Sequence, residues 1–134
     1  MTPLPISDDE LITHYVYDSG DFTASTKRID FRVFLPPKKG DYTHELSSFR
    51  IKGLSEDQVW TLGNTSSGRT TLARGDFYAP NVRTCKTNGW VLDIEPSEPP
   101  ERHARIIGWP PLEKREARKS LALLMRAHAQ LVVR

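Results

Sequence analysis

Along this chain apolar side chains recur first at every second position and then, near the C-terminus, at every third or fourth. In "LITHYVYDSGDF", Ile12, His14 and Val16 alternate with Thr13, Tyr15 and Tyr17, the period of a strand that ends at Asp18-Ser19-Gly20. "RIDFRVFLPP" alternates in the same way, with Ile29, Phe31 and Val33 on one face, and predicts a second strand stopped by Pro36-Pro37. "SSFRIKG" reads as a short strand leading into a helix. Ser55 caps that helix, Gln58 completes a capping box, and Leu54 and Val59 form the hydrophobic staple; Gly63-Asn64 is its expected end. "GDFYA" fits a strand or the start of a loop. "GWVLDIEP" and "RHARIIGW" predict two strands on either side of the stiff link "SEPPE", adjacent and antiparallel.

From Leu112 to about Val132 the period changes. Ala117, Leu121, Leu124, Met125, His128, Leu131 and Val132 form one apolar stripe of a helix that would be about 30 Å long at 1.5 Å per residue. The predicted fold is α+β: a small, mostly antiparallel sheet with one short helix and one long C-terminal amphipathic helix. A single domain over residues 1–134 is expected. Residues 1–10, with two prolines and an acidic cluster, are expected to form a flexible arm.

Composition narrows the setting. The 134 residues suffice for one hydrophobic core, and 37% hydrophobic with 27% charged residues is the balance of a folded chain. No apolar run reaches the roughly 18–20 residues of a membrane span. The N-terminus is acidic and lacks the pattern of a signal peptide, and the single cysteine, Cys85, has no partner for an internal disulfide. A cytoplasmic location without membrane association is the expectation. The formal charge of +2 is unevenly spread: residues 112–134 carry +4 and the remainder −2. Such a basic element can meet an acidic protein, a nucleic acid or the body of its own chain.

Candidate chemistry is sparse. His14, His44, His103 and His128 lack metal-ligand spacing, so neither a metal nor a cofactor is expected. The loop "NTSSGRT" lacks phosphate-loop spacing and follows a helix instead of a strand. His103 is the candidate acid–base residue: on a strand it shares a face with Glu101 and Arg105, a carboxylate to fix its tautomer and a cation to hold an anion, unless these are an ordinary surface pair. Arg50, Arg74 and Arg105 are the anion-binding candidates. Trp109, between Gly108 and Pro110, with Arg115, Arg118 and Lys119, forms the candidate interface, because tryptophan and arginine supply much of the energy of protein contacts. The terminal segment has no aromatic residue, so a stacking platform for single-stranded nucleic acid is not visible.

"LSSFRIKGLSEDQVWTLG", "ARGDF" and "RHARIIGWPPLEKREARKSLALLMRAHAQL" resemble a family of short uncharacterised bacterial proteins with L-S-x-F-R-x-x-G-L and R-H-A-x-I-x-G-W-P segments, over roughly residues 46–131. The resemblance implies a bacterial or phage setting and brings no known activity. The leading expectation is a cytoplasmic binding or accessory protein that docks a protein partner. The alternatives are an enzyme or sensor for a phosphate-bearing ligand using His103, and a nucleic-acid binder using the basic C-terminal helix.

Overall fold

The computed structural model describes residues 3–134. In chain order the strands are β1 (Leu11–Val16), β2 (Phe22–Thr23), β3 (Arg28–Ile29), β4 (Leu46–Arg50) and β5 (Ala73–Tyr78). They continue with β6 (Lys86–Thr87), β7 (Trp90–Val91), β8 (Asp93–Pro96), β9 (His103–Ile107) and β10 (Gln130–Val133). The α-helices are α1 (Glu56–Ser67), α2 (Ala79–Arg83) and α3 (Arg115–His128). Six strands form one sheet in the order β10-β5-β1-β4-β9-β8, and every neighbouring pair is antiparallel. The remaining four make two short hairpins, β2–β3 and β6–β7. The α+β class and the antiparallel neighbours β8 and β9 agree with the sequence pattern.

The alternation in β1 places its residues on two differently covered faces. Ile12 and Val16 join Phe77, Ala73, Ile106, Leu121, Ala122 and Met125 in the larger core under α3. Tyr15 joins Phe49, Ile51 and Val59 in a smaller core under α1, and its hydroxyl donates to the Val59 carbonyl at 2.6 Å. The two long helices therefore lie on opposite faces of the sheet. Helix α1 covers the part over β1 and β5. On the same face, β9 and β8 carry His103, Arg105 and Glu95 beside Ser47 of β4.

Four local readings need correction. "RIDFRVF" contributes only the two-residue β3 and then turns into a 3-10 helix, Phe31–Phe34. The Asp30 side chain accepts the Arg32 N–H at 2.9 Å and so stabilises the turn. Phe34 and Ile29 reach Gly75 of β5, where a Cβ would meet them at 3.1 and 2.9 Å. "GWVLDIEP" is broken at Leu92 into β7 and β8. The C-terminal helix is shorter than its apolar stripe: α3 stops at His128, and residues 130–133 cross over to pair with β5 as β10. Buried backbone groups of Ala73–Asp76 require partners along that edge, and pairing with Gln130–Val133 supplies them while keeping Leu131 buried. Finally, α1 runs past Gly63 to Ser67 and is closed by Gly68 in the left-handed conformation. Its predicted start holds, with Ser55 and Gln58 in a reciprocal capping box.

Part of the N-terminal segment meets the sheet through Arg50. Glu10 is buried and ion-paired with Arg50, which also donates to the carbonyls of Leu4 and Pro5.

Gly63 explains why the helix passes through it. A Cβ there would lie 2.6 Å from Thr71 Cγ2 and from Tyr15 Cε1, so the missing side chain lets α1 settle on β1. Alanine favours a helix over glycine by about 1 kcal/mol, whereas overpacking a core costs about 1–3 kcal/mol. With Tyr15 held to Val59, the clash should prevail. Gly63→Ala is expected to lower stability by about 1–2 kcal/mol, read as a lower midpoint of urea unfolding; an equal or higher midpoint would show that the contact yields.

Candidate functional site

The three arginines expected to hold an anion are already neutralised, each at a different place. Arg50 donates to both carboxylate oxygens of Glu10. Arg74 is buried, binds both oxygens of Glu56 at 3.0 and 2.9 Å, and pairs with Asp76 at 3.0 Å. Its guanidinium also lies 4.6 Å from the Trp60 ring centroid. Arg105 is held by Glu45 at 3.0 Å and by Glu95. The fold thus uses Arg50, Arg74 and Arg105 as internal ion-pair partners, and they do not converge on an anion.

Trp109 is likewise not an exposed anchor. It is buried in the larger core, and its indole N–H donates to the Ile106 carbonyl at 3.1 Å. Gly108 adopts φ +93 and brings the backbone against the Val91 carbonyl, where a Cβ would stand 2.2 Å away. This close approach turns the indole inward.

The basic helix fares differently. Lys119 is exposed and sits 5.5 Å from the Phe31 ring centroid. Arg115 and Arg118, one turn apart at the start of α3, both line a cleft of about 410 Å³ with Leu35, Pro36, Lys38 and Leu112. None of these six residues is acidic. Arg118 is only 4% exposed, so it is not part of an outer basic face as expected from the sequence. Its two terminal nitrogens donate to the carbonyls of Pro110 at 2.8 Å and Thr43 at 3.1 Å. Among the described residues, neither it nor Arg115 nor Lys38 has an ion-pair partner. Burial pulls the Arg118 guanidinium below its ordinary value with no carboxylate to oppose it, yet arginine stays cationic at neutral pH. The wall of the cleft therefore holds a desolvated positive charge without its counter-ion, beside two more cations and the half-exposed Leu112.

His103 faces a second cleft, of about 370 Å³, lined by Pro37, Tyr42, Glu45, Ser47, Ser97, Pro99, Pro100 and itself. Glu101 is not its neighbour on a strand, because β9 begins only at His103. Its partners are serines. Nδ1 is 3.0 Å from the Ser97 carbonyl oxygen, and Nε2 is 2.7 Å from the Ser47 hydroxyl. A carbonyl only accepts, so Nδ1 carries the proton, and in the neutral ring Nε2 accepts from Ser47. The Ser97 N–H also donates to the His103 carbonyl at 2.9 Å, and Phe49 meets the ring edge-on at 5.2 Å. Ser47 went unnoticed in the sequence because it sits in an ordinary strand, 56 residues from its partner.

From the other face of the sheet His14 grips the same residue: its Nδ1 is 2.6 Å from the Ser47 carbonyl oxygen. Cys85, the other potential nucleophile, is buried, and burial pushes its thiol up to about 11. Among the described residues, no group of three or more histidine, cysteine or acidic side chains is placed to hold a metal, and no helix is long and apolar enough to cross a membrane.

No protein-family model matches this sequence, and neither a curated protein nor a solved structure matches it.

Burial lowers the His14 pKa from its ordinary 6.5, outweighing hydrogen bonds to the Ser47 and Val33 carbonyls. The unfolded chain then binds a proton that the folded chain resists, so the stability from this residue is present above pH 6.5 and is lost as pH falls. Denaturant midpoints between pH 7.5 and 5 should fall by the equivalent of up to about 1.4 kcal/mol per pH unit, and His14→Gln should flatten that slope. A slope unchanged by the substitution would assign it to other groups.

Proposed function

We propose that this chain is a binding or accessory protein of the bacterial cytoplasm, and that it docks an acidic segment of a protein partner in the cleft at the start of α3. The observation that carries the reading is Arg118, a buried cation with no carboxylate, next to Lys38 and Arg115 in a cleft with apolar walls. A buried charge is costly unless it is paired. Arg74, the other arginine buried to this extent, has two carboxylates of its own. A partner's aspartate or glutamate would complete the pairing, while an adjacent apolar side chain would rest on Leu35, Pro36 and Leu112. The phosphate-ligand alternative has lost its anion holders to Glu10, Glu56, Asp76, Glu45 and Glu95. For nucleic acid, the cleft offers three cations and no aromatic side chain on which a base could stack. The single cysteine, buried and unpaired, fits a reducing compartment.

The test compares capture by the tagged wild type with capture by the Lys38→Glu/Arg115→Glu variant, which changes two exposed residues and leaves Arg118 in place. Proteins retained from native cells are identified by mass spectrometry, and their acidic segments are then measured as synthetic peptides. The double reversal is expected to weaken peptide binding about 100-fold, or about 2.8 kcal/mol. Equal capture by both proteins, no protein retained by the wild type, or retention of nucleic acid in place of protein would overturn the proposal.

A further inference from the structure

We infer that Ser47 and His103 form a nucleophile–base pair that accepts the acyl group of a small neutral ester or thioester, in a cleft separate from the one proposed to dock a partner. The geometry is that of an activated serine: hydroxyl to Nε2 at 2.7 Å, and Nδ1 to a fixed acceptor at 3.0 Å. Here the acceptor is the Ser97 backbone carbonyl. It orients the ring and favours the imidazolium that forms as His103 takes the proton. Ser97 holds His103 twice, through this carbonyl and through its N–H, while Phe49 packs against the ring. Ser47 is held from behind by His14 at its carbonyl, leaving its hydroxyl exposed on the cleft face.

The walls define the substrate class. Pro37, Tyr42, Pro99 and Pro100 offer an apolar surface for a short acyl chain. The one acidic or basic side chain among the lining residues apart from His103 itself is the Glu45 carboxylate, and the nearby Arg105 is already bound by Glu45 and Glu95. A phosphate or carboxylate would meet negative charge here; a neutral ester or thioester would not. In the reaction, Ser47 Oγ attacks the carbonyl carbon and its proton passes to His103 Nε2. The bond to the leaving oxygen or sulfur then breaks as His103 returns the proton to it. Water, deprotonated by the same nitrogen, then attacks the ester carbon, and the bond to Ser47 Oγ breaks as His103 returns the proton to it, releasing the acid.

The full chain is treated with p-nitrophenyl acetate and, separately, with a fluorophosphonate, and adducts are located by intact-mass and peptide mass spectrometry. One adduct on Ser47 is expected, abolished by Ser47→Ala and formed about 100-fold more slowly in His103→Gln. Circular dichroism checks that both variants fold. Should either fail to fold, native wild type is compared with wild type in denaturing urea, and labelling of Ser47 confined to the native state is the supporting result. Modification only at other residues, equal rates in wild type and folded His103→Gln, or labelling that persists in urea overturns the inference.

Discussion

Two opposite charges on one buried strand, Arg74 and Asp76, leave water together, and much of the fold is arranged around that event. Removing each from solvent costs several kcal/mol, so neither can be buried alone. They stand two residues apart on the same face of β5 and pair at 3.0 Å. Asp76 takes the Thr13 hydroxyl at 2.7 Å, which fastens β1, and Arg74 reaches Glu56 and the Trp60 ring, which fastens α1. The pair thereby sets the position of the helix over the sheet, in register with the hydrophobic contact of Tyr15 and Val59. The opposite face of the same strand, Ala73, Gly75 and Phe77, is purely apolar and receives the larger core.

The same rule governs two further arginines. Arg50 is matched by Glu10, which ties the N-terminal segment to the sheet, and Arg105 by Glu45 and Glu95 across three neighbouring segments. Arg118, buried to the same extent as Arg74, is satisfied in its hydrogen bonds but has no carboxylate partner among the described residues. Its charge stands at the wall of a cleft whose lining residues include no carboxylate.

Incomplete cover of one face produces the second locus. Helix α1 shields β1 and β5, whereas β9 and β8 keep polar residues on that side. The half-open face is where Ser47 and His103 meet, and the chain returning through Ser97 provides the third element of the array. Residues 35–45 separate the two clefts, contributing Leu35, Pro36 and Lys38 to one and Pro37, Tyr42 and Glu45 to the other. The two loci are therefore adjacent through one connection, although they differ in charge.

What the sequence by itself determined was whatever depends on neighbours a few positions away. The alternation of β1, the strands around "SEPPE", and the cap formed by Ser55 and Gln58 were legible because pleat, period and capping are local. The candidate residues Arg115, Arg118 and His103 were also named from sequence, but their surroundings were not. Tertiary structure decided that Gln130–Val133 leaves a helical stripe to pair with β5, since an edge of buried backbone outweighs a continued helix. It decided that Trp109 turns inward behind Gly108, and that Arg50, Arg74 and Arg105 find carboxylates as far as 60 residues away. It also decided that Ser47 faces His103 across the β4–β9 pair. Burial and charge pairing are settled between distant segments, so a pattern read along one strand or one helix has no means of registering them.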